Sequence, residues 1–259
     1  MLNRRWLCFA SLIWTFLAMN AMAADPKDVF EARVYTDAAG GKLPYRILKP
    51  ADYDANKKYP LVIFLHGAGE RGTDNLVQLK HGMADYANDE NRKKFPAFVI
   101  APQCPAERKW VEVNWSDPNH EMPAEPSIPM KQTFDVIEGL RKEFSIDEKR
   151  LYMTGLSMGG FGTWDALQRK PDYFAAGIPI CGGGDVKQAA KLKNVPIWCF
   201  HGDQDTAVKV ARSREMIAAI KEAGGMPKYT EYPNVGHDSW SATYRNPEVH
   251  AWLFGQVRK

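Results

Sequence analysis

The chain has 259 residues, of which 45% are hydrophobic and 25% charged, with 34 lysines and arginines against 31 aspartates and glutamates. This length is enough for one large domain with a substantial core. The near balance of charge excludes the strongly basic surface that recruits nucleic acid or an anionic membrane.

Residues 1–23 have the pattern of a secretory signal peptide. Arg4 and Arg5 form a basic start, residues 6–18 are an apolar stretch, and small residues at positions 21 and 23 precede the expected cleavage point. The apolar stretch is too short to span a bilayer, so no stable membrane insertion is expected. The sequence therefore predicts a secreted or periplasmic protein cleaved after Ala23.

The mature chain, residues 24–259, begins with a predicted hairpin. Residues 29–35 alternate apolar and polar side chains, and residues 43–48 follow the Gly40-Gly41 turn as the partner strand. Later apolar runs lack alternation, which is typical of parallel strands buried on both faces. These runs are residues 61–65, 98–101, 151–153, 175–180 and 197–200.

Helical patterns lie between these runs. The clearest has apolar side chains at three- and four-residue spacing, at Met130, Phe134, Ile137, Leu140 and Phe144. Strands that alternate with helices predict an α/β fold with a mostly parallel central sheet and helices on both faces. Because no repeat or low-complexity linker interrupts the mature chain, we interpret it as one domain.

One long stretch, residues 103–129, has no period and contains five prolines together with Trp110 and Trp115. A loop of this length inside a compact domain is usually either functional or disordered, and two tryptophans argue against disorder. It leaves the carboxyl end of a predicted central strand, where ligand sites form in open α/β sheets.

A glycine-rich turn contains the best candidate nucleophile. The sequence Gly-Leu-Ser-Met-Gly-Gly at residues 155–160 follows an apolar run and precedes a helical segment at 161–170. Strand, sharp turn with Ser157 at its apex, then helix is the context that a G-x-S-x-G motif requires. Side chains at positions 155 and 159 would clash across so tight a turn. On its own the motif also allows a plain surface serine.

A serine nucleophile needs a base, an acid that orients the base, and donors for the oxyanion. On this type of sheet the partners follow the serine in the order acid, then histidine, each after a later strand. Asp203 and Asp205 follow one predicted strand, and His237 follows the next in a turn that contains glycine. His66 and His201 each precede a glycine at a strand end and are predicted to brace turns.

The oxyanion donors are expected to be two backbone N–H groups, one from Met158 and one from the loop at residues 66–72. Three glycines in this loop let its main chain approach a ligand closely. Glu70 and Arg71 are predicted to form an ion pair that braces the loop, with a substrate-facing Arg71 as the alternative. No G-x-G-x-x-G or P-loop motif follows a strand, so no nucleotide cofactor is expected.

Three cysteines remain after removal of the leader: Cys104, Cys181 and Cys199. Their odd number and the lack of a C-x-x-C pair indicate neither a disulfide framework nor a metal site. We therefore expect no cofactor and no metal.

Together these motifs resemble those of the α/β-hydrolases, and more narrowly those of secreted single-domain esterases similar to prolyl-oligopeptidase-like, feruloyl-esterase and polyhydroxybutyrate-depolymerase-like enzymes. The resemblance extends over residues 29–254 and is carried by L-H-G-A-G-E-R-G, G-L-S-M-G-G-F-G-T-W-D, F-H-G-D-Q-D-T-A-V and G-H-D-S-W. It implies an α/β-hydrolase fold. It also implies the site residues, with Asp205 rather than Asp203 as the acid: nucleophile Ser157, acid Asp205, base His237, and oxyanion donors Ala68 and Met158.

The implied activity is that of an exported carboxylic-ester hydrolase that works through a Ser-His-Asp triad and an acyl-enzyme. Only 15 residues separate Ile180 from Pro196, where many related enzymes insert a lid. We therefore expect no lid domain, and an open site for short acyl esters or for acetyl or feruloyl esters on carbohydrate. Stacking surfaces for such groups are predicted at Trp110, Trp115 and Trp240, with a core position as the alternative for each.

Other functions share these residues. A prolyl-oligopeptidase-like peptidase has the same catalytic domain, although this chain shows no propeller that would gate peptides. A non-catalytic carbohydrate-binding relative would keep the fold, and an acyltransferase would use the same triad. The predicted partner is a small-molecule or polymer-linked ester, with no nucleic acid, and the oligomeric state stays open.

Overall fold

A computed structural model describes residues 25–259, and the predicted signal peptide at residues 1–23 lies outside the described residues. The strands are β1 (Glu31–Thr36), β2 (Lys42–Leu48), β3 (Tyr59–Leu65), β4 (Phe98–Pro102), β5 (Ile146–Leu156), β6 (Ala176–Ile180), β7 (Trp198–Gly202) and β8 (Lys228–Tyr232). The α-helices are α1 (Pro26–Val29), α2 (Met83–Ala87), α3 (Asp89–Lys94), α4 (Ile128–Glu143), α5 (Met158–Arg169), α6 (Ala211–Glu222), α7 (Trp240–Arg245) and α8 (Pro247–Phe254). Short 3₁₀ helices cover Ala68–Glu70, Val77–Leu79 and Val186–Leu192.

The strands form one eight-stranded sheet in the order β1-β2-β4-β3-β5-β6-β7-β8. Strands β1 and β2 pair as the predicted antiparallel hairpin, and β2 also runs antiparallel to β4. Every other pair is parallel. The carboxyl ends of β3, β5, β7 and β8 therefore lie along the same edge of the sheet, which brings together the loops that carry the candidate site.

Each face of the sheet carries its own hydrophobic core. Along β3, Leu61, Ile63 and Leu65 pack with apolar side chains of α4, α5 and α6. Val62 and Phe64 point the other way and pack with side chains of α2, α7 and α8. The alternation follows from the two-residue period of a strand, and burial on both faces explains the continuous apolar runs in the sequence. The predicted α/β fold is thus confirmed.

Two connections at the site edge shape access to it. Residues 103–127 contain no helix or strand, as predicted, but hydrogen bonds tie this loop to the body of the protein. Its ties are Trp110 Nε1 to the His66 carbonyl (3.0 Å), Arg212 Nη1 to the Asp117 carbonyl (3.1 Å), the Met122 amide to Asp185 (2.9 Å) and Arg169 Nη2 to the Pro123 carbonyl (2.6 Å).

The second connection, between β6 and β7, carries only the 3₁₀ helix Val186–Leu192, so no lid domain is inserted there. None of the helices within residues 25–259 is long and apolar enough to cross a membrane.

Candidate active site

Ser157 occupies a strained turn between β5 and α5. Its backbone has φ 54° and ψ −118°, a conformation that side-chain-bearing residues rarely adopt. The Ser157 amide donates to the Ile180 carbonyl at 2.9 Å, which ties the turn to strand β6. Strain held in place by a surrounding sheet is typical of functional positions, and here it lifts the serine above the sheet edge.

The glycines around Ser157 are required by close backbone approach. A methyl group on Gly155 would lie 2.7 Å from the Leu65 carbonyl oxygen, and one on Gly159 would lie 2.5 Å from the Leu65 carbonyl carbon. A methyl group on Gly160 would overlap the Ile180 carbonyl oxygen. These obstacles are backbone atoms, which cannot rotate away, so only glycine lets α5 start this close to β3 and β6.

We expect Gly159→Ala to destabilise the protein by at least about 3 kcal/mol and to remove most of its activity, because the elbow must open to fit the methyl group. Gly139→Ala is a matched control, since its methyl group would meet nothing within 4 Å inside helix α4. There alanine should stabilise by about 0.5–1 kcal/mol. Urea unfolding of both variants checks this; equal stability of the two would contradict the steric account.

Ser157, His237 and Asp205 form a hydrogen-bonded chain. His237 Nε2 lies 2.9 Å from Ser157 Oγ, and His237 Nδ1 lies 2.7 Å from Asp205 Oδ2. A carboxylate only accepts, so Nδ1 carries the proton, and Nε2 is left free to accept from the serine hydroxyl. This tautomer is the one in which the imidazole can act as a general base toward Ser157. The structure does not bring Asp203 into this chain.

Asp205 is held by more contacts than the motif indicated. Its Oδ1 accepts from the amides of Ala207 and Val208, both at 2.9 Å, and its Oδ2 also faces His201 Nε2 at 3.1 Å. Burial of this carboxylate opposes its ionisation, but the hydrogen bonds from His201 and His237 outweigh burial and hold the pKa of Asp205 well below its ordinary value. Asp205 is therefore a carboxylate at neutral pH.

His201 is a site residue whose link to Asp205 was not predicted. Its Nε2 lies between two acceptors, Asp205 Oδ2 and the Val208 carbonyl (2.9 Å), so it donates, while Nδ1 faces Ser213 Oγ at 2.7 Å. His201 thus fixes the acid from behind, besides bracing the turn. The spacing of four residues between His201 and Asp205 in H-G-D-Q-D was the signal available in the sequence.

The two expected oxyanion donors lie at helix starts. Met158 is the first residue of α5, and Ala68 is the first residue of the 3₁₀ helix Ala68–Glu70. Amides in the first turn of a helix have no partner within the helix, and the positive end of the α5 dipole favours an anion. A methyl group on Gly67 would lie 3.7 Å from Ser157 Cβ, so this loop runs directly beside the nucleophile.

His66 braces the start of this loop, as its position at a strand end indicated. The Cys104 amide donates to His66 Nε2 at 2.9 Å, so Nδ1 carries the proton and donates to the Gly67 carbonyl at 2.6 Å. Burial lowers the pKa of His66 to about 4. The neutral ring therefore links the loop at residues 66–72 to the start of the long loop at Cys104.

The neutral state of His66 predicts acid sensitivity. In the unfolded chain a histidine binds its proton near pH 6.5, but folded His66 stays neutral down to about pH 4. Between these values the unfolded state binds more protons, so the free energy of unfolding falls as the pH is lowered from 6.5 to 4, by on the order of 3 kcal/mol. His120, whose pKa burial also lowers to about 4, acts in the same direction.

Melting temperatures of the wild type and of His66→Gln, measured between pH 7 and pH 4, check this expectation. The variant should be less stable at pH 7 and should lose less stability across this window, because its side chain does not titrate. Parallel pH dependences of the two proteins would rule out His66 as the cause.

Two sequence-based expectations about this region are corrected. Glu70 and Arg71 do not pair: Glu70 Oε1 lies 3.4 Å from His81 Nε2, while Arg71 Nε donates to the Ala68 carbonyl at 3.0 Å. Trp110 is fully buried, with its indole N–H donated to the His66 carbonyl, so it has no face for a substrate. The alternative core position applies to Trp110.

The other two tryptophans stay partly exposed. Trp240 meets the imidazole of His237 edge to face, with ring centroids 5.2 Å apart, and so borders the predicted base. Trp115 lies on the long loop and is partly buried against the hydrophobic core on one face of the sheet. Both tryptophans remain candidates for contact with substrate.

Cys181, Asp205 and His237 are the one group of possible metal ligands within residues 25–259, with ligand atoms within 4.8 Å of one another. Asp205 and His237 are already hydrogen-bonded to each other, and burial raises the pKa of the Cys181 thiol well above its ordinary value. Metals bind the thiolate form of cysteine, which this buried environment disfavours. The three residues therefore suit a catalytic triad better than a metal site.

A family comparison agrees with this architecture. The model of the phospholipase/carboxylesterase family matches residues 52–248, most of the chain. The chain belongs to the phospholipase/carboxylesterase family. A solved thermostable esterase is 44% identical, with a TM-score of 0.84 over 89% of this chain and 64% of that one. The matched region is therefore a domain of the carboxylesterase type with an α/β-hydrolase fold.

Two curated relatives indicate the range of similar proteins. The bifunctional acetylxylan esterase/xylanase of Neocallimastix patriciarum is 33% identical over 104 residues, which are 38% of this chain and 15% of that protein. The probable feruloyl esterase C of Aspergillus niger is 26% identical over 202 residues, 77% of this chain and 68% of that protein. The chain spans less than a third of the length of three of the curated relatives it matches.

Proposed function

We propose that this carboxylesterase-family member is an exported serine hydrolase that cleaves short acyl or carbohydrate-linked esters, such as acetyl or feruloyl esters, through an acyl-enzyme. The observation that carries the proposal is the hydrogen-bonded chain from Ser157 through His237 to Asp205 at the carboxyl edge of the sheet. The similarity to proteins named as acetylxylan and feruloyl esterases supports the substrate class.

In the proposed mechanism His237 Nε2 takes the hydroxyl proton as Ser157 Oγ attacks the ester carbonyl carbon. Asp205 holds the imidazole in the tautomer that accepts this proton and stabilises the imidazolium that forms. The amides of Ala68 and Met158 donate to the developing oxyanion. His237 then returns the proton to the leaving alcohol, and a water activated by the same imidazole hydrolyses the acyl-enzyme.

The shape of the site supports short or polymer-linked substrates. The connection between β6 and β7 carries no lid domain, and hydrogen bonds hold residues 103–127 against the protein body. A site without an inserted lid favours short acyl esters and esters that project from a polymer over long lipid chains. Export is supported by the signal-peptide pattern of residues 1–23.

A hydrolysis panel tests the proposed function. It consists of acetylated xylan, methyl ferulate, short-chain p-nitrophenyl esters, polyhydroxybutyrate, and a proline-containing peptide amide. We expect turnover of p-nitrophenyl acetate and of at least one carbohydrate or feruloyl ester, and none of the amide. Preferential cleavage of the amide would favour a peptidase, and no cleavage together with no labelling of Ser157 by a fluorophosphonate would favour a non-catalytic relative.

A further inference from the structure

Two cations lie over the ring of Trp115. The ammonium of Lys109 is 4.8 Å from the ring centroid, and the guanidinium carbon of Arg71 is 5.9 Å from it. All three side chains are partly exposed. These cations occupy the space over the ring that a stacked sugar would need. The surroundings of Trp115 therefore do not favour the stacking role expected from the sequence.

This cationic group borders the proposed reaction site. Arg71 Nε donates to the carbonyl of Ala68, the expected oxyanion donor, and Trp115 packs against the small apolar cluster of Val111, Phe161 and Val208. The Phe161 amide donates to the Ser157 carbonyl at 3.1 Å, and the Val208 amide donates to Asp205. The cationic group therefore adjoins the oxyanion loop through Arg71, and Trp115 packs against a cluster with members hydrogen-bonded to the nucleophile and to the acid.

The two cations of this group have no direct carboxylate partner in the described part of the chain. Within residues 25–259, no carboxylate lies within 4.0 Å of Arg71 or Lys109, whereas neighbouring Arg108 pairs with Glu112 at 3.6 Å. Arg71 donates to the carbonyls of Ala68 (3.0 Å) and Arg108 (3.4 Å). Lys109 Nζ donates to the Val113 carbonyl at 2.8 Å.

The acid nearest in sequence to Arg71 is engaged elsewhere. Glu70 turns to the other side of the loop and pairs with His81. Two partly desolvated cations that share one ring repel each other, and a bound anion removes this cost. In residues 25–259, Arg71 Nη2 has no hydrogen-bond partner, and a guanidinium presents its donors in the fork that matches a carboxylate.

We propose that Arg71 and Lys109 form an anion subsite that binds a carboxylate carried by the ester substrate. The inference rests on the proposed function and narrows it to esters with a free acid group, in the acyl part or in the alcohol part. Half-esters of dicarboxylic acids place the acid in the acyl part. Acylated hydroxy acids and acylated uronic acids place it in the alcohol part.

Matched substrate pairs test the subsite. The acyl arm compares the p-nitrophenyl half-ester of glutaric acid with p-nitrophenyl valerate. The alcohol arm compares acetate release from 3-acetoxybutyrate with that from its methyl ester. In at least one arm we expect the wild-type kcat/KM to favour the anionic ester by roughly tenfold, the scale of one charge-assisted hydrogen bond. This preference should fall at 0.5 M NaCl, because salt screens the contact.

Variants connect the preference to the two side chains. Lys109→Gln and Arg71→Gln should each lower the anionic-to-neutral ratio at least about threefold. Arg71→Lys should give an intermediate ratio, because it keeps the charge but loses the fork of donors. Lys93→Gln is the matched control. Lys93 is an exposed lysine of α3, and α3 leads into the amino end of β4, whereas the site lies at the carboxyl ends of the strands. The ratio is internal to each variant, so a general loss of activity does not affect it.

The outcomes separate the two proposals. Cleavage of neutral esters without any anionic preference, or equal losses on both members of each pair in Lys109→Gln, overturns the subsite and leaves the esterase proposal intact. If the wild type cleaves no member of either pair, the proposed function fails and the subsite fails with it. A preference that Lys109→Gln lowers and Lys93→Gln leaves unchanged supports the subsite.

Discussion

Replacement of Ser157 by alanine is expected to lower ester hydrolysis by roughly 10⁶-fold in kcat, the scale seen when a triad nucleophile is removed. His237 Nε2 is 2.9 Å from Ser157 Oγ, and no other side chain in the described part of the chain donates to this nitrogen. Alanine removes the attacking oxygen but fits the same strained turn, so the fold should persist. Steady-state kinetics with p-nitrophenyl acetate measure the loss.

Ser116→Ala is the control for this variant, because Ser116 is exposed on the long loop and only its backbone amide is hydrogen-bonded, to Asn114. It should keep wild-type activity within about twofold, as expected for a surface change. Both variants should melt within a few degrees of the wild type. Near-normal turnover by a folded Ser157→Ala protein would show that the assignment of the nucleophile is wrong.

Asp205→Asn is expected to cost about 10⁴-fold in kcat at neutral pH, as in other triads whose acid is neutralised. Asp205 Oδ2 accepts from His237 and from His201, and Oδ1 accepts from two backbone amides. An asparagine amide brings two donors into a place where every neighbour donates. The imidazole of His237 then loses the acceptor that selects its tautomer, and Nε2 no longer accepts from Ser157.

Asp203→Asn separates this effect from a general effect of lost charge. Asp203 follows the same strand but makes no hydrogen bond to His237, so its variant should retain activity within about tenfold of the wild type. Single-turnover kinetics of both Asn variants give the comparison. A larger loss for Asp203→Asn would mean that the acid of the triad has been assigned to the wrong residue.

Much of the fold could be predicted because buried parallel strands have a simple sequence signature. Strand β3 is buried along its whole length, so it appears in the sequence as a continuous apolar run. Helix α5 was harder to delimit: it begins at Met158 rather than near residue 161. Gly159, Gly160 and Gly162 in its first turns weaken the helical pattern. Neighbouring backbone requires glycine at 159 and 160, and the side chains of Trp110 and Leu65 crowd position 162.

The candidate site, too, could be predicted only in part. Ser157, Asp205 and His237 are marked by short motifs in a fixed order, and the structure brings them within hydrogen-bond distance. Contacts between distant parts of the chain have no such marker. Glu70 pairs with His81 rather than with adjacent Arg71 because the segment between residues 70 and 81 folds back and places His81 beside Glu70.

Burial of individual tryptophans was equally hidden in the sequence. Trp110 and Trp115 lie on the same irregular loop, and composition alone gives no sign of which one enters the core. The indole of Trp110 is directed inward by the His66 carbonyl, whereas Trp115 stays partly exposed beneath Lys109 and Arg71. The placement of Lys109 and Arg71 over Trp115 is also the basis of the proposed anion subsite. Nothing in the sequence around these residues indicated that they meet.

The central claim, that ester cleavage proceeds through an acyl group on Ser157, is tested most directly by trapping that intermediate. The protein is mixed with p-nitrophenyl acetate, quenched in acid within milliseconds, and digested for mass spectrometry of the peptide that contains residues 155–160. The account predicts an acetyl group on Ser157 that is absent from the Asp205→Asn protein quenched at the same time. Rapid turnover with no acyl group on Ser157, or with the acyl group on another residue, would contradict it.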